Sequence, residues 1–196
     1  RSVRDFRGVD REAVARARGR VLDAGAGAGS LALALQSRGL QVTALEVIPE
    51  AVDIMRKRGV SDPREGRVED LPASQEYDTI LLLMNGTALA GTRGGLEPFL
   101  RLLDELTAPG GQVLVDSTDL RVNRLPTSWP GIDTPEDYPG NLQYQLEFQG
   151  RKGAPFPQLF VDPWTLALWA GMAGWETEVV WQESDGEFLA RLVRAP

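Results

Sequence analysis

Short apolar runs and longer amphipathic segments follow one another through the first 120 residues of the chain. The apolar runs, each short enough to be a buried strand, are residues 20–24, 40–47, 77–84 and 112–117. The segments with apolar residues at helical spacing are residues 10–17, 30–38, 49–58 and 96–107. Strands that alternate with helices favour a parallel sheet with helices on both faces. The sequence therefore predicts a doubly wound α/β fold in a single domain over residues 1–196.

Weaker signals complete the predicted sheet. Residues 66–70 are short and charged, and only their position between clearer units predicts a third strand there. An Asp-Pro pair is typical of a helix start and opens a predicted helix over residues 162–172. Two apolar stretches, 175–182 and 187–193, are joined by an Asp-Gly turn. They predict an antiparallel hairpin at the end of the sheet.

The alternation of strands and helices is interrupted between residues 120 and 160. Prolines divide the first part of this insertion. Alternating apolar residues at 142–148, a Gly-Arg-Lys-Gly stretch at 150–153 and a second apolar run at 156–161 then predict a β-hairpin. The insertion is rich in aromatic residues, including Trp129. These could enclose a small acceptor as a substrate lid, or they could simply pack on the core.

The composition of the chain excludes several catalytic chemistries, and its net charge disfavours one class of partner. The chain has no cysteine and no histidine, which excludes thiolate nucleophiles, Ser-His-Asp hydrolysis and the usual zinc sites. Its 21 Lys and Arg against 28 Asp and Glu give a net charge of −7, which argues against a nucleic-acid partner. No apolar run approaches the roughly 18 residues of a membrane span. We therefore expect a cytoplasmic protein that binds no membrane.

The end of the first predicted strand carries an acidic residue and then three glycines at alternate positions, which are Asp23, Gly25, Gly27 and Gly29. Glycine lets the backbone approach a ligand closely, and the helix that follows presents free N–H groups to it. A tight turn alone would need fewer glycines, so a ligand-binding loop is the better interpretation. The dinucleotide pattern G-x-G-x-x-G is not matched, because Ser30 stands where its third glycine belongs.

Glu46 lies near the end of the second predicted strand, where a carboxylate can accept hydrogen bonds from both hydroxyls of a ribose. An adenosine sulfonium ligand or NAD would supply that ribose. Glu46 therefore indicates a nucleoside without choosing between the two, and a surface carboxylate at a strand end is the alternative interpretation.

In these features the chain resembles the class I S-adenosylmethionine-dependent methyltransferases. The resemblance rests on residues 23–29, Glu46, the strand at 77–84 and the Ala-Pro-Gly-Gly stretch at 108–111. It implies a seven-stranded, mostly parallel sheet in the order 3-2-1-4-5-7-6, with S-adenosylmethionine across the carboxyl ends of strands 1, 2 and 4. The residues that it implies at the cofactor are Asp23, Ala24, Gly25, Ala26, Gly27, Gly29, Glu46, Val47, Ile48, Val68, Glu69, Met84 and Asn85.

The resemblance also implies a role for each part of this set. The glycine loop would hold the methionine end of the cofactor, and Glu46 would bind the ribose. The residues that would border the adenine are Val47, Ile48, Val68 and Glu69, and those that would border the transferable methyl are Met84 and Asn85. All of these precede Asp116, so deleting residues 141–155 is expected to spare cofactor binding and to remove methyl transfer.

Two positions depart from the pattern of the family. Arg67 stands where many relatives have an acidic residue, which makes Asp70 a second candidate for the edge of the adenine. After the fourth strand the chain has Asn-Gly-Thr at 85–87. Relatives that methylate amino groups of bases or of glutamine have Asn-Pro-Pro-aromatic there, so the departure also disfavours a nucleic-acid substrate.

Methyl transfer from a sulfonium needs an aligned nucleophile and a dry path to the methyl group, and it needs no metal. A carboxylate or a tyrosine could remove a proton from the acceptor, and Asn85 could hydrogen-bond the substrate or could simply be a turn residue. The candidates for these catalytic roles are Asn85, Asp116, Asp119, Tyr138 and Tyr144. The sequence thus predicts a methyltransferase that acts on a small molecule. An NAD-dependent oxidoreductase and a domain that binds the cofactor without turnover remain alternatives.

Overall fold

The computed structural model describes residue 6 and residues 8–74, 76–122 and 138–196. Its helices are α1 (Gly8–Arg16), α2 (Ser30–Ser37), α3 (Pro49–Arg58), α4 (Arg93–Leu106) and α5 (Pro163–Met172). Its strands are β1 (Arg20–Ala24), β2 (Gln41–Glu46), β3 (Asp62–Glu65), β4 (Tyr77–Leu82), β5 (Thr107–Thr118), β6 (Asn141–Tyr144), β7 (Glu147–Phe148), β8 (Arg151–Lys152), β9 (Phe156–Leu159), β10 (Trp175–Gln182) and β11 (Glu187–Arg194).

Seven of these strands form one sheet in the order β10-β11-β5-β4-β1-β2-β3. The strands from β1 to β5 pair in parallel, whereas β11 is antiparallel to both β5 and β10. Numbered along these seven strands alone, the order is 3-2-1-4-5-7-6. The doubly wound, mostly parallel sheet predicted from the sequence is confirmed.

Successive residues of the central strands face two separate cores, because side chains alternate across a sheet. Val21 and Leu81 pack with buried residues of α1, α2 and α3. Leu22 and Ile80 pack with buried residues of α4 and α5 on the other face. The predicted apolar stripe of α4 is buried throughout, at Leu96, Phe99, Leu100, Leu103 and Leu106.

The third strand of the sheet lies earlier in the chain than predicted. β3 pairs with β2 through residues 62–65, and the predicted strand at 66–70 is wrong, because Val68–Asp70 form a single 3-10 turn. β3 is the edge strand of the sheet and its side chains are partly exposed. A strand in that position needs no apolar run, so the hydrophobic pattern gave no signal for it.

The fifth strand begins earlier than predicted, at Thr107. Its register with β4 shifts, so that Tyr77 pairs with Thr107 and Thr79 pairs with Gln112. The extra residues at 108–111 are therefore accommodated as an irregularity within the strand, whereas the sequence suggested a break before it.

The inserted hairpin is formed by β6 and β9, which pair antiparallel, and by the short β7 and β8 at its tip. Its turn is Gln149 and Gly150, with φ of 51° and 75°. Two consecutive positive φ values suit a tight two-residue turn. The predicted turn at 150–153 is wrong because Arg151 and Lys152 already pair with β7. Trp129 lies outside the described residues.

No helix in the described part of the chain is both long enough and apolar enough to cross a membrane.

Candidate functional site

Two cavities open near the carboxyl ends of β1, β2 and β4, on either side of the loop that follows β1. The first, about 330 Å³, lies between the end of β2 and the 3-10 turn at Val68–Asp70, and is called here the β2 cavity. The second, about 320 Å³, lies between the loop and the start of α1, and is called the α1 cavity. Gly25 borders both, so the two cavities form one elongated site. It lies where the strand order reverses, as ligand sites of open α/β sheets do.

The glycines of the loop differ in what their missing side chains would meet. Gly25 and Gly27 have φ of 79° and 54°, and a Cβ at either position would have no neighbour within 4 Å. The backbone at these two glycines is therefore not covered by other atoms and is open to a ligand in the site. At Gly29 a Cβ would lie 2.7 Å from Val60 Cγ2 and 2.9 Å from Met55 Cγ. Glycine is required there because the start of α2 packs closely on Met55 of α3 and on Val60.

Glu46 is 8% exposed and joins the loop to the end of β2. Gly27 N–H donates to Glu46 Oε2 at 2.9 Å, while Val47 N–H and Ile48 N–H donate to Oε1 at 2.8 and 3.1 Å. An ionised carboxylate offers about four acceptor positions. Glu46 can therefore hold the loop and still accept a hydrogen bond from a ligand.

Asp23 borders the α1 cavity and is only 4% exposed. Its Oδ2 atom is buried and has no hydrogen-bond partner among the described residues. Burial raises the pKa of Asp23 to about 7; a hydrogen bond from the backbone of Ala32 opposes this rise, and the charge of Glu46 adds to it. Asp23 is thus a buried carboxyl group with an unused oxygen beside a ligand-sized space.

Phe6 and Asp10 also border the α1 cavity, although no sequence motif indicated them. Asp10 is the first residue of the segment predicted as a helix, but α1 begins at Gly8 and Asp10 is buried within its first turn. Phe6 and Asp10 reach the site because α1 packs against α2, the helix that follows the loop. That arrangement depends on tertiary contacts, so local patterns could not reveal it.

The 3-10 turn after β3 brings Arg67, Val68 and Glu69 to the wall of the β2 cavity. Asp70, the second candidate for the adenine edge, is instead used within the turn, because Arg67 N–H donates to Asp70 Oδ2 at 2.8 Å. The wall also includes Leu89 and Pro157, which sequence reasoning missed. Pro157 belongs to β9, so the inserted hairpin contributes to this cavity.

The turn after β4 is held by Asp116, which is 2% exposed. Its carboxylate accepts from Met84 N–H at 3.1 Å and from Gly86 N–H at 2.8 Å. Met84 and Asn85 both have positive φ, 65° and 64°, a conformation that non-glycine residues rarely adopt. Asp116 therefore stabilises this turn and does not reach either cavity.

Asn85 uses its side chain to connect the turn with the insertion. Its Nδ2 donates to the carbonyl oxygen of Leu159 at 2.9 Å, and its Oδ1 accepts from Ser117 Oγ at 3.1 Å and from Thr87 Oγ1 at 3.2 Å. Ser117 in turn accepts from Val161 N–H at 2.9 Å. This network fixes the returning end of the inserted hairpin to the sheet.

Two other candidate bases, Tyr138 and Asp119, form hydrogen bonds near the ends of the insertion. The Tyr138 hydroxyl donates to Asp162 Oδ2 at 2.9 Å and accepts from Asp162 N–H at 3.1 Å. Asp119 accepts from Arg121, with a nitrogen to oxygen distance of 2.9 Å. Neither Tyr138 nor Asp119 borders the two cavities.

Tyr144 packs against aromatic rings of the hairpin. Its ring centroid lies 6.2 Å from that of Phe156 and 6.1 Å from that of Phe160, and burial raises its pKa. It borders neither cavity. The structure therefore does not bring the suggested tyrosine and carboxylate bases together at the site.

The implied cofactor contacts divide into two groups. Those that border one of the cavities are Asp23, Gly25, Ala26, Gly27, Glu46, Val47, Val68, Glu69 and Met84. Those that border neither are Ala24, Gly29, Ile48 and Asn85. A larger cavity of about 390 Å³ lies at the amino ends of the strands, beside Arg20, Gln41 and Tyr77. It is remote from the glycine loop and from the N-terminus of α2, so it is not the candidate site.

Comparison with known proteins places this geometry in a family. Residues 21–111 match a family described as a methyltransferase domain. The structure of an S-adenosylmethionine-dependent methyltransferase from Bacteroides fragilis, solved with S-adenosylhomocysteine, is 34% identical. The match has a TM-score of 0.86 and covers 98% of this chain and 79% of that one. The CcbJ methyltransferase of Streptomyces caelestis shares the fold, with 22% identity, a TM-score of 0.76 and coverage of 97% of this chain and 100% of that one.

A relative from Xanthomonas euvesicatoria pv. vesicatoria, named ubiquinone biosynthesis O-methyltransferase, is 31% identical over 170 residues. The match covers 82% of this chain and 64% of the relative, so the chain spans less than two thirds of that protein's length. Together with the loop, the sheet order and the position of Glu46, these matches identify the chain. It belongs to the class I S-adenosylmethionine-dependent methyltransferases, as the sequence resemblance predicted.

Proposed function

We propose that the protein transfers a methyl group from S-adenosylmethionine to a small-molecule acceptor. The observation that carries the proposal is the elongated site at the carboxyl edge of the sheet. It combines the bare backbone of Gly25 and Gly27, the carboxylate of Glu46 and the unpartnered oxygen of Asp23. Two adjoining cavities with a carboxylate at the border of one of them suit an amino acid joined to a nucleoside, so the residues fit the cofactor.

In the proposed arrangement, the α1 cavity receives the methionine end of the cofactor. Glu46 binds the ribose at the junction of the two cavities, and the β2 cavity receives the adenine between Val47 and Val68. When bound, the cofactor supplies a methyl group on a positively charged sulfur. The protein orients it, and the apolar side chain of Met84 helps to keep water from the path of transfer.

The acceptor is proposed to be a small molecule. The net charge of −7 disfavours a nucleic-acid substrate, and the curated relatives are named as O-methyltransferases of ubiquinone biosynthesis. The inserted hairpin is proposed to cover the acceptor, since Asn85 ties its returning end to the turn that carries Met84. Asp116 and Tyr138 are engaged in hydrogen bonds away from the cavities, so alignment rather than one of these bases would drive the reaction.

The proposal is tested by titration calorimetry with S-adenosylmethionine, S-adenosylhomocysteine and NAD. We expect the first two to bind and NAD not to bind, because the loop lacks the dinucleotide spacing of glycines. A screen with S-adenosylmethionine carrying a labelled methyl group, against phenols, amines and carboxylates, would then identify the acceptor. Binding of NAD alone would favour the oxidoreductase alternative. Cofactor binding without transfer to any acceptor would favour a domain without turnover.

A further inference from the structure

Helix α5 is apolar on its outer side as well as on the side that packs on the core. None of its ten residues, Pro163–Met172, is charged. The inner side is buried, whereas Trp164, Leu168 and Met172 are 69%, 47% and 53% exposed. A helix that is apolar on all sides is normally covered on all sides. The outer side of α5 is therefore a candidate interaction surface.

The exposed residues of α5 form one row along the helix. Trp164, Leu168 and Met172 follow one another at intervals of four residues, and the exposed Ala167 and Gly171 lie on the same face. These five residues are called here the α5 stripe. A single exposed apolar residue is normal on a protein surface, but a continuous apolar row is typical of an interface.

Gly171 forms a notch in the α5 stripe. A Cβ at this position would have no neighbour within 4 Å, and the backbone does not adopt the left-handed conformation that favours glycine. Neither the conformation nor the packing of the described residues therefore requires glycine here, although glycine is unfavourable in a helix. A large side chain from outside the molecule could occupy the notch.

We propose that the α5 stripe is the contact surface of a homodimer, in which α5 packs antiparallel on α5 of a second copy. In a two-fold arrangement each contact occurs twice, so Trp164 of each copy would lie over the notch at Gly171 of the other. The two-fold axis would pass near Ala167 and Leu168, which lie midway between these positions. The small side chain of Ala167 would let the two helices approach closely.

The distribution of charge favours this surface for contact between two copies. Each chain has a net charge of −7, so two copies repel each other wherever their charged groups approach. The α5 stripe carries no charge. Arg101 of α4 donates to the carbonyl oxygen of Met172 at 2.8 Å, and its charge is balanced by Glu97 at 2.7 Å. The surface beside this end of the stripe is therefore close to neutral.

The area of the α5 stripe suits a small interface. Trp164 alone exposes roughly 170 Å², and the half-exposed Leu168 and Met172 bring the total to roughly 350 Å² per copy, or about 700 Å² for two copies. Val179 of β10 is 41% exposed, and it lies on the same face of the sheet as α5 because it pairs with Ala190. It extends the exposed apolar surface on that face. An interface near the lower limit of specific contacts predicts a weak dimer.

The proposed dimer leaves the candidate site open. None of the ten described residues of α5 borders the β2 cavity or the α1 cavity. The inference therefore goes beyond the proposed function and does not depend on it. Dimerisation and cofactor binding can be measured separately.

Sedimentation velocity of the full chain, from about 2 µM to about 300 µM, tests the proposal. We expect the sedimentation coefficient of the wild type to rise from the monomer value toward the dimer value. Leu168→Glu places two like charges near the two-fold axis and should weaken dimerisation by at least about tenfold. Ile54→Glu is the matched control, because Ile54 is 44% exposed on α3 and the same change there should leave dimerisation intact.

Gly171→Leu distinguishes a fitted contact from non-specific association. Leucine would fill the notch, and it favours a helix more than glycine does, so the variant should fold at least as stably as the wild type. It also enlarges the exposed apolar surface. A dimer that depends on the notch should therefore be weakened, whereas non-specific association of apolar surfaces should be strengthened.

A wild-type protein that stays monomeric at the highest concentration would overturn the proposal and leave the α5 stripe to a different partner. A dimer that persists in both Leu168→Glu and Gly171→Leu, or that is lost equally in Ile54→Glu, would also overturn it. Circular dichroism shows whether each variant is folded, and Gly171→Leu decides if Leu168→Glu is not. S-adenosylhomocysteine should bind the wild type and all three variants, and a failure to bind any of them would count against the proposed function alone.

Discussion

Glu46 holds two parts of the site together through hydrogen bonds to Gly27 N–H and to two N–H groups at the end of β2. Removing its carboxylate should release the loop and also remove the proposed ribose contact. We expect Glu46→Ala to weaken the binding of S-adenosylhomocysteine by about 1–3 kcal/mol, the range for charge-assisted hydrogen bonds. Calorimetry measures this. An unchanged affinity would mean that the ribose binds elsewhere.

Gly27 and Gly29 belong to the same sequence motif, but their surroundings differ. Gly27 faces open space at the site, whereas Gly29 packs closely on neighbouring side chains. Gly27→Leu would place a side chain in open space at the site, so it should abolish cofactor binding. Gly29→Ala would place a Cβ against Val60 and Met55, so it should lower the free energy of unfolding by about 1–3 kcal/mol.

Calorimetry and urea denaturation of both variants check this difference. Because both glycines have positive φ, each variant also carries some backbone strain. Equal effects of the two changes on stability and on binding would refute the distinction.

At the level of single residues, sequence reasoning found the parts of the site that lie in one continuous segment. The glycine loop follows β1 and Glu46 ends β2, two strands whose apolar pattern is clear, so their position at the carboxyl edge could be predicted. Asp10 and Pro157 could not be predicted, since they reach the cavities only through the packing of α1 and β9. Asp116 looked like a base because the sequence does not reveal that two N–H groups occupy its oxygens.

The inserted hairpin connects the cofactor side of the site with the proposed acceptor side. Because Pro157 of β9 borders the β2 cavity and β9 pairs with β6, we now expect a deletion of residues 141–155 to disturb the proposed adenine cavity as well. The cavity proposed for the adenine is therefore not formed only by residues that precede Asp116. A change confined to the tip of the hairpin is a better test of the lid.

We expect replacement of residues 146–153 by a short glycine-rich turn to leave the affinity for S-adenosylhomocysteine unchanged and to reduce methyl transfer. The replacement retains the pairing of β6 with β9 but removes the exposed side chains of Leu146 and Phe148. Calorimetry and a transfer assay with the acceptor found by screening would measure the two effects. Normal transfer by this variant would show that the tip of the hairpin does not form part of the lid.

At the level of elements, the buried strands were predicted more accurately than the exposed one. β1, β2 and β4 lie inside the sheet with apolar runs, and each was predicted to within about two residues at either end. β3 lies at the edge of the sheet, and its Asp-Pro-Arg-Glu sequence has no apolar pattern. The turn of the inserted hairpin was misplaced because Gln149, a non-glycine residue, adopts the positive φ that the turn requires.

For the molecule as a whole, the buried carboxyl group of Asp23 makes stability depend on pH. Its pKa is about 7 in the folded protein and near 3.8 otherwise, so the folded state retains a proton that the unfolded chain has lost. The stability that the protein gains by keeping Asp23 protonated is fully present below the pKa of the unfolded chain. It is lost as pH rises toward the folded pKa of about 7. Titration of Asp23 should therefore lower the stability of the ligand-free protein between about pH 4 and about pH 7.

Asp23→Asn removes this cost while keeping the shape of the side chain. We expect the variant to be stabilised relative to the wild type by about 2–3 kcal/mol more at about pH 8 than at about pH 5. Urea denaturation without ligand at the two pH values measures this difference. The same stabilisation at both pH values would mean that Asp23 titrates normally in the folded protein.

The contact of Asp116 with the turn after β4 has a consequence for the order in which the protein folds. The residues that meet there, Met84 and Asp116, are separated by 32 positions, and β5 must join β4 before the carboxylate can hold the turn. Contacts between distant parts of a chain form slowly, because a long loop must close first. A nascent chain that ends before β5 would contain the glycine loop and Glu46 but would lack a fixed Met84. Competence to receive the methyl donor should therefore arise late in folding, when the fifth strand has paired.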